Sequence, residues 1–211
     1  MEIRTSGSHR RYFVSDLAPK PTDEWIIDKL NLHRFRTIDQ ASNETESFGW
    51  VTLSSPSSTR FSPEDIWLDK TLCLGIRLDR KRLPSQALNV RLVERLDEER
   101  AESDEPISRN RRREIREELE ADLLRRTIPT TSLLQVIWNV PNGELLFSST
   151  SAPANRALIS LYAKSFSRTP VAAVPHTMAE RTALPDAHRR RLGKIGPACF
   201  VPSETSADGV S

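Results

Sequence analysis

The chain has 211 residues, 37% of them hydrophobic, which suffices for one ordinary core or two small ones. Thirty-one lysines and arginines against 29 acids leave a net charge of +2, so overall charge selects no partner, and attraction to phosphate rests on where the arginines sit. No window approaches the roughly 18 consecutive apolar residues of a membrane helix, and MEIRTSGSHRR at the N-terminus has no apolar stretch after its basic residues; the expectation is a soluble, cytoplasmic protein.

In chain order, residues 11–14 suit a short strand that Pro19-Lys20-Pro21 ends. Thr22 can cap a helix with Asp23 and Glu24 in its first turn and Trp25, Ile26 and Leu30 along it, reaching towards His33. Phe35 and Ile38 suggest an extended piece, residues 39–47 a loop, and Phe48-Gly49-Trp50-Val51 renewed apolar structure before a Ser-Ser-Pro-Ser-Ser turn. Residues 66–78 read as two strands around Asp69-Lys70, the second being Thr71-Leu72-Cys73-Leu74-Gly75-Ile76. Cys73 is expected to be a buried free thiol, and Cys199 is far from it in sequence.

Pro84 suits the first turn of a long helix on which Leu88, Leu92 and Leu96, with Val93 beside them, recur at helical spacing. Pro106 interrupts that pattern, and Ser108 can cap a second charged helix with Ile115, Leu119 and Leu123 on one stripe. The two would form an extended antiparallel pair over about 84–126. Residues 134–140 and 144–149 flank Pro141-Asn142-Gly143, where Asn-Gly supplies the positive dihedrals of a tight hairpin. Residues 155–166 read as a helix and 170–174 as a last strand, giving a folded body over 1–176 and a disordered basic tail over 177–211.

Binding a nucleic-acid backbone needs several cations that reach phosphates together, because each neutralised phosphate releases condensed counterions. Three clusters have that composition: Arg77, Arg80, Lys81 and Arg82; Arg109, Arg111, Arg112, Arg113 and Arg116; and Arg125 with Arg126. Glu114, Glu117, Glu118, Glu120 and Asp122 are interspersed in the second helix, which equally describes a solvated face with ion pairs at helical spacing. His188-Arg189-Arg190-Arg191 and Lys194 read as solubilising sequence or as a loose electrostatic contact. Trp25, Trp50, Trp67 and Trp138 all fall in apolar segments and are expected in the core rather than stacked on bases.

The histidines at 9, 33, 176 and 188 have no metal-ligand spacing, and the chain has no Gly-rich phosphate loop with its lysine, no Cys-x-x-Cys and no His-Glu-x-x-His. No catalytic residue, cofactor or metal is therefore named, and the expectation is a protein without enzymatic activity.

His33-Arg34-Phe35-Arg36, Phe48-Gly49-Trp50-Val51, Leu83-Pro84-Ser85 before the charged pair, Leu123-Leu124-Arg125-Arg126, the Trp138 strand with Asn142-Gly143, and the approach to Pro170-Val171 resemble, in order and spacing, the RdgC family of recombination-associated proteins. The resemblance implies an α+β fold of mixed or antiparallel sheets with packed helices and a protruding charged helical pair. It further implies a ring-shaped homodimer with a basic inner surface, bound to double-stranded DNA without sequence preference, that competes with the RecA recombinase and sits at the nucleoid. The resemblance favours DNA contact by Arg77, Arg80, Lys81, Arg82, Arg125 and Arg126, and Arg109, Arg112, Arg113 and Arg116 complete the candidate set on composition alone, equally readable as a solvated face. Compared with the family pattern, the chain resembles a shortened form lacking the C-terminal third that helps close the ring. The family's Leu-Leu-Pro-Arg-Ala-Phe is Leu123-Leu124-Arg125-Arg126-Thr127-Ile128 here, so Ile128 takes the place of an aromatic dimer contact. The rival reading is a protein-interaction module built on the helical pair, its DNA binding lost with that C-terminal third.

Overall fold

The computed structural model describes residues 7–14, 22–39, 44–102, 106–182, 184–192 and 194. They fall into two compact units, 1–172 and 173–211.

The first unit is built on one sheet. Strands β1 (Arg10–Phe13), β2 (Glu46–Thr52), β3 (Trp67–Leu68), β4 (Thr71–Arg80), β5 (Thr130–Asn139), β6 (Glu144–Phe147) and β7 (Val171–Ala172) pair antiparallel in the order β2-β4-β5-β6-β1-β7, with β3 also on β4. The long β4 and β5 form its spine, paired from Thr71↔Asn139 to Arg80↔Thr130. Period two along β4 puts Leu72, Leu74 and Ile76 in the main core with Trp50, Val136, Trp138 and Phe147. It puts Arg77 and Asp79 on the opposite face, with Lys81 continuing that alternation just past the strand end.

Helices α1 (Asp23–Leu32) and α5 (Ala152–Phe166) pack against one another and close the main core with Ile26, Leu30, Leu158, Leu161, Tyr162 and Phe166. Thr22 caps α1 by accepting the Trp25 N–H, and Ser151 caps α5 by accepting that of Ala154. Phe166 stacks against Trp25, Trp50, Trp138 and Tyr162 with ring centroids 4.8–6.2 Å apart. The Trp50 indole donates to Ser165 Oγ at 2.8 Å, and Tyr12 donates its buried hydroxyl to Asn155. Trp50 and Trp138 are fully enclosed as expected, whereas Trp25 and Trp67 are half-buried.

Gly49 has a packing reason. A Cβ there would lie 2.5 Å from Phe35 N and Cα, because the segment after α1 crosses β2 closely enough for Phe35 N–H to reach Trp50 C=O at 2.9 Å.

A short helix, α2 (Pro63–Ile66), precedes β3, and Asp69 takes a φ of 54° in the tight β3–β4 turn. The helical pair is α3 (Ser85–Glu102) and α4 (Arg109–Arg126). Pro84 stands one place earlier than expected, just outside α3, where its C=O accepts the Leu88 N–H. Leu92, Leu96 and Ile115, flanked by Ile107 and Leu119, form a small core separate from that of the sheet. Val93 lies 55% exposed instead of joining the leucine stripe.

Two other local expectations shift. The β5–β6 hairpin is looser than a two-residue turn: residues 140–143 connect the strands, and of the Asn142-Gly143 pair Gly143 alone has positive φ, at 68°. Asn142 instead accepts the Glu144 N–H through its side chain, so the turn uses an Asx contact where the sequence suggested two left-handed residues. Helix α5 starts three residues before the expected 155, because Ser151 caps it and Pro153 suits its first turn.

In the second unit, where the sequence suggested an unstructured tail from 177, lie α6 (Pro175–Arg181) and α7 (Asp186–Leu192), packed on each other. The His188–Arg191 run is carried on α7; Lys194 follows it, and residues 195–211, including Cys199, lie outside those described. Among the described residues no helix is long and apolar enough to cross a membrane.

Candidate nucleic-acid interface

The strand alternation that fills the main core from one side of β4 delivers charge to the other. Arg77 donates through Nε and Nη2 to both Asp79 oxygens at 2.9 and 2.8 Å, and its guanidinium lies 4.4 Å from the Phe35 ring centroid. Hydrogen bonding to Asp79 holds the Arg77 guanidinium above its ordinary pKa. Asp79, buried, also accepts the Thr131 hydroxyl at 2.8 Å from its register partner on β5. Arg77 is thus fixed by a bidentate fork and an aromatic face, with much of its charge compensated locally.

Arg80, on the opposite face, makes a second fork to Glu46 across the β2–β4 register at 2.9 and 3.2 Å. Lys81 donates its backbone N–H to Thr45 C=O, while its side chain is 6% exposed and Nζ has no hydrogen-bond partner among the described residues. Arg82 is exposed and has no ion pair among them.

The C-terminus of α4 returns to the same place. Asp122 takes Arg126 at 3.0 Å and Arg125 at 3.7 Å within the helix, and Thr127 ends it by donating its hydroxyl to Leu123 C=O. A cavity of about 400 Å³ lies where the helical pair meets the sheet. Arg77, Asp79 and Lys81 from the β4 side line it with Arg125, Arg126, Thr127, Ile128 and Pro129 from the α4–β5 connection and with Thr37, Ile38 and Thr131. Two of the three basic clusters therefore converge. Ile128 beside the cavity is 87% exposed.

The third cluster divides along α4. Arg111 turns inward and clamps Glu99 of α3 through Nε and Nη2 at 2.6 and 3.3 Å, holding that carboxyl below its ordinary pKa. Arg113 faces Glu117 at 3.7 Å. Arg109, Arg112 and Arg116, spaced i, i+3, i+7, share one exposed stripe and have no ion pair among the described residues. On α3 the arginines are engaged within the helix: Arg91 with Glu94, Arg95 with Glu98, Arg100 with Asp97.

Of the ten basic residues singled out from the sequence, the structure locks Arg77 and Arg80 into carboxylate forks, buries Lys81, ties Arg113, Arg125 and Arg126 to acids of their own helix, and leaves Arg82, Arg109, Arg112 and Arg116 exposed without an ion pair. Sequence reasoning missed the polar frame of Thr37, Thr127 and Thr131. It also missed the sharing of one sheet face by residues 77, 79 and 81, which strand periodicity alone could have signalled. Burial pushes the Cys73 thiol and the Tyr162 hydroxyl upward in pKa, and neither lines the interface. Among the described residues no group of three or more His, Cys, Asp and Glu side chains is placed to hold a metal ion.

The family model described as "Putative exonuclease, RdgC" matches residues 17–186. The chain is 26% identical over 143 residues to the recombination-associated protein RdgC of Neisseria meningitidis serogroup C, a match that spans 67% of this chain and 46% of that protein. The RdgC protein of Neisseria gonorrhoeae matches to the same extent, 26% over 143 residues, again 67% of this chain and 46% of its own length. The matched region is thus under half the length of these curated relatives.

Proposed function

Because the chain belongs to the RdgC family of recombination-associated proteins, we propose that it is a double-stranded DNA-binding protein that holds the phosphate backbone without reading sequence and without a chemical step. By occupying duplex it denies that duplex to RecA filaments, and its place in the cell is the nucleoid. The observation that carries the reading is the exposed stripe of Arg109, Arg112 and Arg116 on α4, joined by exposed Arg82, all without ion pairs among the described residues. Seven residues of helix span about 10.5 Å, comparable to three axial steps of about 3.4 Å between phosphates on one strand. Arginine suits this role because its planar fork takes phosphate oxygens in pairs.

The test is anisotropy of a labelled random duplex over a salt series. Replacing Arg109, Arg112 and Arg116 with Ala should flatten the slope of log affinity against log salt by about 2.7, at about 0.9 per lost phosphate contact. Arg80→Ala, which removes a cation already neutralised by Glu46, should change the slope far less. An unchanged slope in the folded triple variant would move the DNA surface elsewhere.

Exposed Ile128, beside the cavity where the helical pair meets the sheet, supports self-association. Ile128 is 87% exposed, and burying such a side chain contributes only about 1.5–3 kcal/mol, which cannot by itself offset the entropy of association. A homodimer held at Ile128 should therefore dissociate on dilution through the micromolar range in sedimentation. A monomer at all concentrations, or a dimer surviving nanomolar dilution, excludes it.

A second reading, a protein-docking module, has one observation in its favour: Val90 and Val93 lie exposed on α3, at 58% and 55%. It predicts no duplex binding even at low salt.

A further inference from the structure

Lys81 is the least expected cation in the molecule. Its backbone is fixed beside Thr45, its side chain is buried, and Nζ, with three donors to place, has no hydrogen-bond partner among the described residues. Buried ammonium groups are ordinarily paired, since the desolvation cost is otherwise uncompensated. The adjacent carboxylate does not serve it: Asp79 receives two donors from Arg77 and one from Thr131.

The cavity that Lys81 lines is also lined by Arg77, Arg125 and Arg126, with Asp79 the acidic side chain on its wall and Thr37, Thr127 and Thr131 around it. Cations thus outnumber carboxylates where a buried donor lacks an acceptor. An occupant that brings oxygen acceptors and negative charge satisfies both conditions, and a phosphoryl group supplies several such oxygens on one centre. At about 400 Å³ the space accommodates that group with an attached sugar or with water.

We infer that this cavity is a seat for a single phosphoryl group, with Lys81 Nζ as its inner donor and Arg125 and Arg126 at the exposed rim. Nζ itself is closed off from water, so occupation needs a shift of the wall, in which Thr37, Arg125, Arg126, Ile128 and Thr131 are exposed. Two sources carry this chemistry, the duplex backbone and free phosphate. The first rests on the function proposed above; the second does not.

The experiment uses the full chain and Lys81→Met, which keeps a similar stem and removes the ammonium. Thermal unfolding is followed in inorganic phosphate and in chloride at matched pH and ionic strength, with phosphorus NMR line broadening of inorganic phosphate on the wild type as a measurement that needs no variant. Phosphate should raise the wild-type midpoint above that in chloride, growing with the logarithm of phosphate concentration once saturating, and should do nothing comparable for Lys81→Met. In the duplex arm, Lys81→Met should flatten the salt slope by about 0.9 if the backbone is the source. A phosphate effect with an unchanged slope supports the seat with free phosphate as its occupant. No phosphate-specific broadening or stabilisation of the wild type overturns the inference, as does equal stabilisation of Lys81→Met. Failure of the wild type to bind duplex in low salt instead sinks the proposed function and leaves the seat to be decided by the phosphate arm.

Discussion

The sheet body and the helical pair solve the same problem with different materials. In the body, Trp50, Trp138, Tyr12, Tyr162 and Phe147 are enclosed around a sheet whose two long strands share ten register pairs. In the pair, two 18-residue helices enclose Leu92, Leu96 and Ile115 and are otherwise dressed with ion pairs, one of which, Arg111–Glu99, crosses between them. Apolar burial at about 25 cal/mol per Å² makes the body the stable part, while exposed ion pairs contribute little each. A thin core with a charged surface leaves arginines free to face an anion. A thick one anchors the sheet from which the pair departs.

If that contrast is real, the largest loss should come from the body. Trp50→Ala removes an enclosed indole, its contact with Phe166 and its hydrogen bond to Ser165, and should cost about 3–5 kcal/mol of global stability by urea unfolding. Exchange protection should fall together in β2, β4 and β5. Loss confined to β2 would show that the sheet does not unfold as a unit.

Ile115→Ala sharpens the comparison from the other side. It empties the centre of the small core and should cost about 2–3 kcal/mol, at the low end for such truncations because two helices can close on the gap. Amide exchange over residues 85–126 should accelerate roughly 30- to 160-fold, while β4 and β5 keep their protection. Equal acceleration everywhere would break the comparison, since pair and body would then open together.

How much of this was legible in the sequence follows the same division. The leucine stripe of α3, the Ser108 cap and the Ile115 stripe of α4 were readable because helical periodicity survives in an exposed, locally determined pair. So were the starts of β4 and β6, although β4 runs on to Arg80 and β5 begins at Thr130, four residues before the expected 134. The order of strands was not, because β1 between β6 and β7 joins residues more than 130 positions apart, and no local pattern encodes that pairing. The arginine clusters could be counted but not sorted. Whether Arg77 or Arg112 is available to an anion depends on Asp79 and Phe35 for the one and, for the other, on having no ion-pair partner among the described residues. Lys81 looked like the arginines beside it, and its burial became visible only once the α4–β5 connection was placed over that face of the sheet. The glycine of Phe48-Gly49-Trp50 was recognisable as a pattern, yet its cause is the Phe35 backbone fourteen residues earlier in the chain.

The smallest effect belongs to pH, and it concerns the pair alone. Glu99 is held below the ordinary carboxylate range, first by its hydrogen bonds from Arg111 and then by the nearby charges of Arg111 and Arg95, partly against desolvation. A carboxyl depressed in the folded state contributes stability that is present above its unfolded value, about 4.3 for Glu, and is lost as pH falls through its lower folded value. Arg111 keeps its charge throughout, its own pKa raised by the same contact. The helical pair should therefore loosen in acid before the body does, as faster amide exchange over 85–126 relative to β4 once pH drops below about 4. Arg111→Gln should already show the looser pair at neutral pH, and the difference between it and the wild type should shrink as pH falls, because protonating Glu99 removes from the wild type what the variant never had. Since both partners reach solvent, high salt should shrink the same difference. A wild-type advantage that stays constant from neutral pH to pH 3 would mean that Arg111 holds the pair by packing its stem rather than by its contact with Glu99.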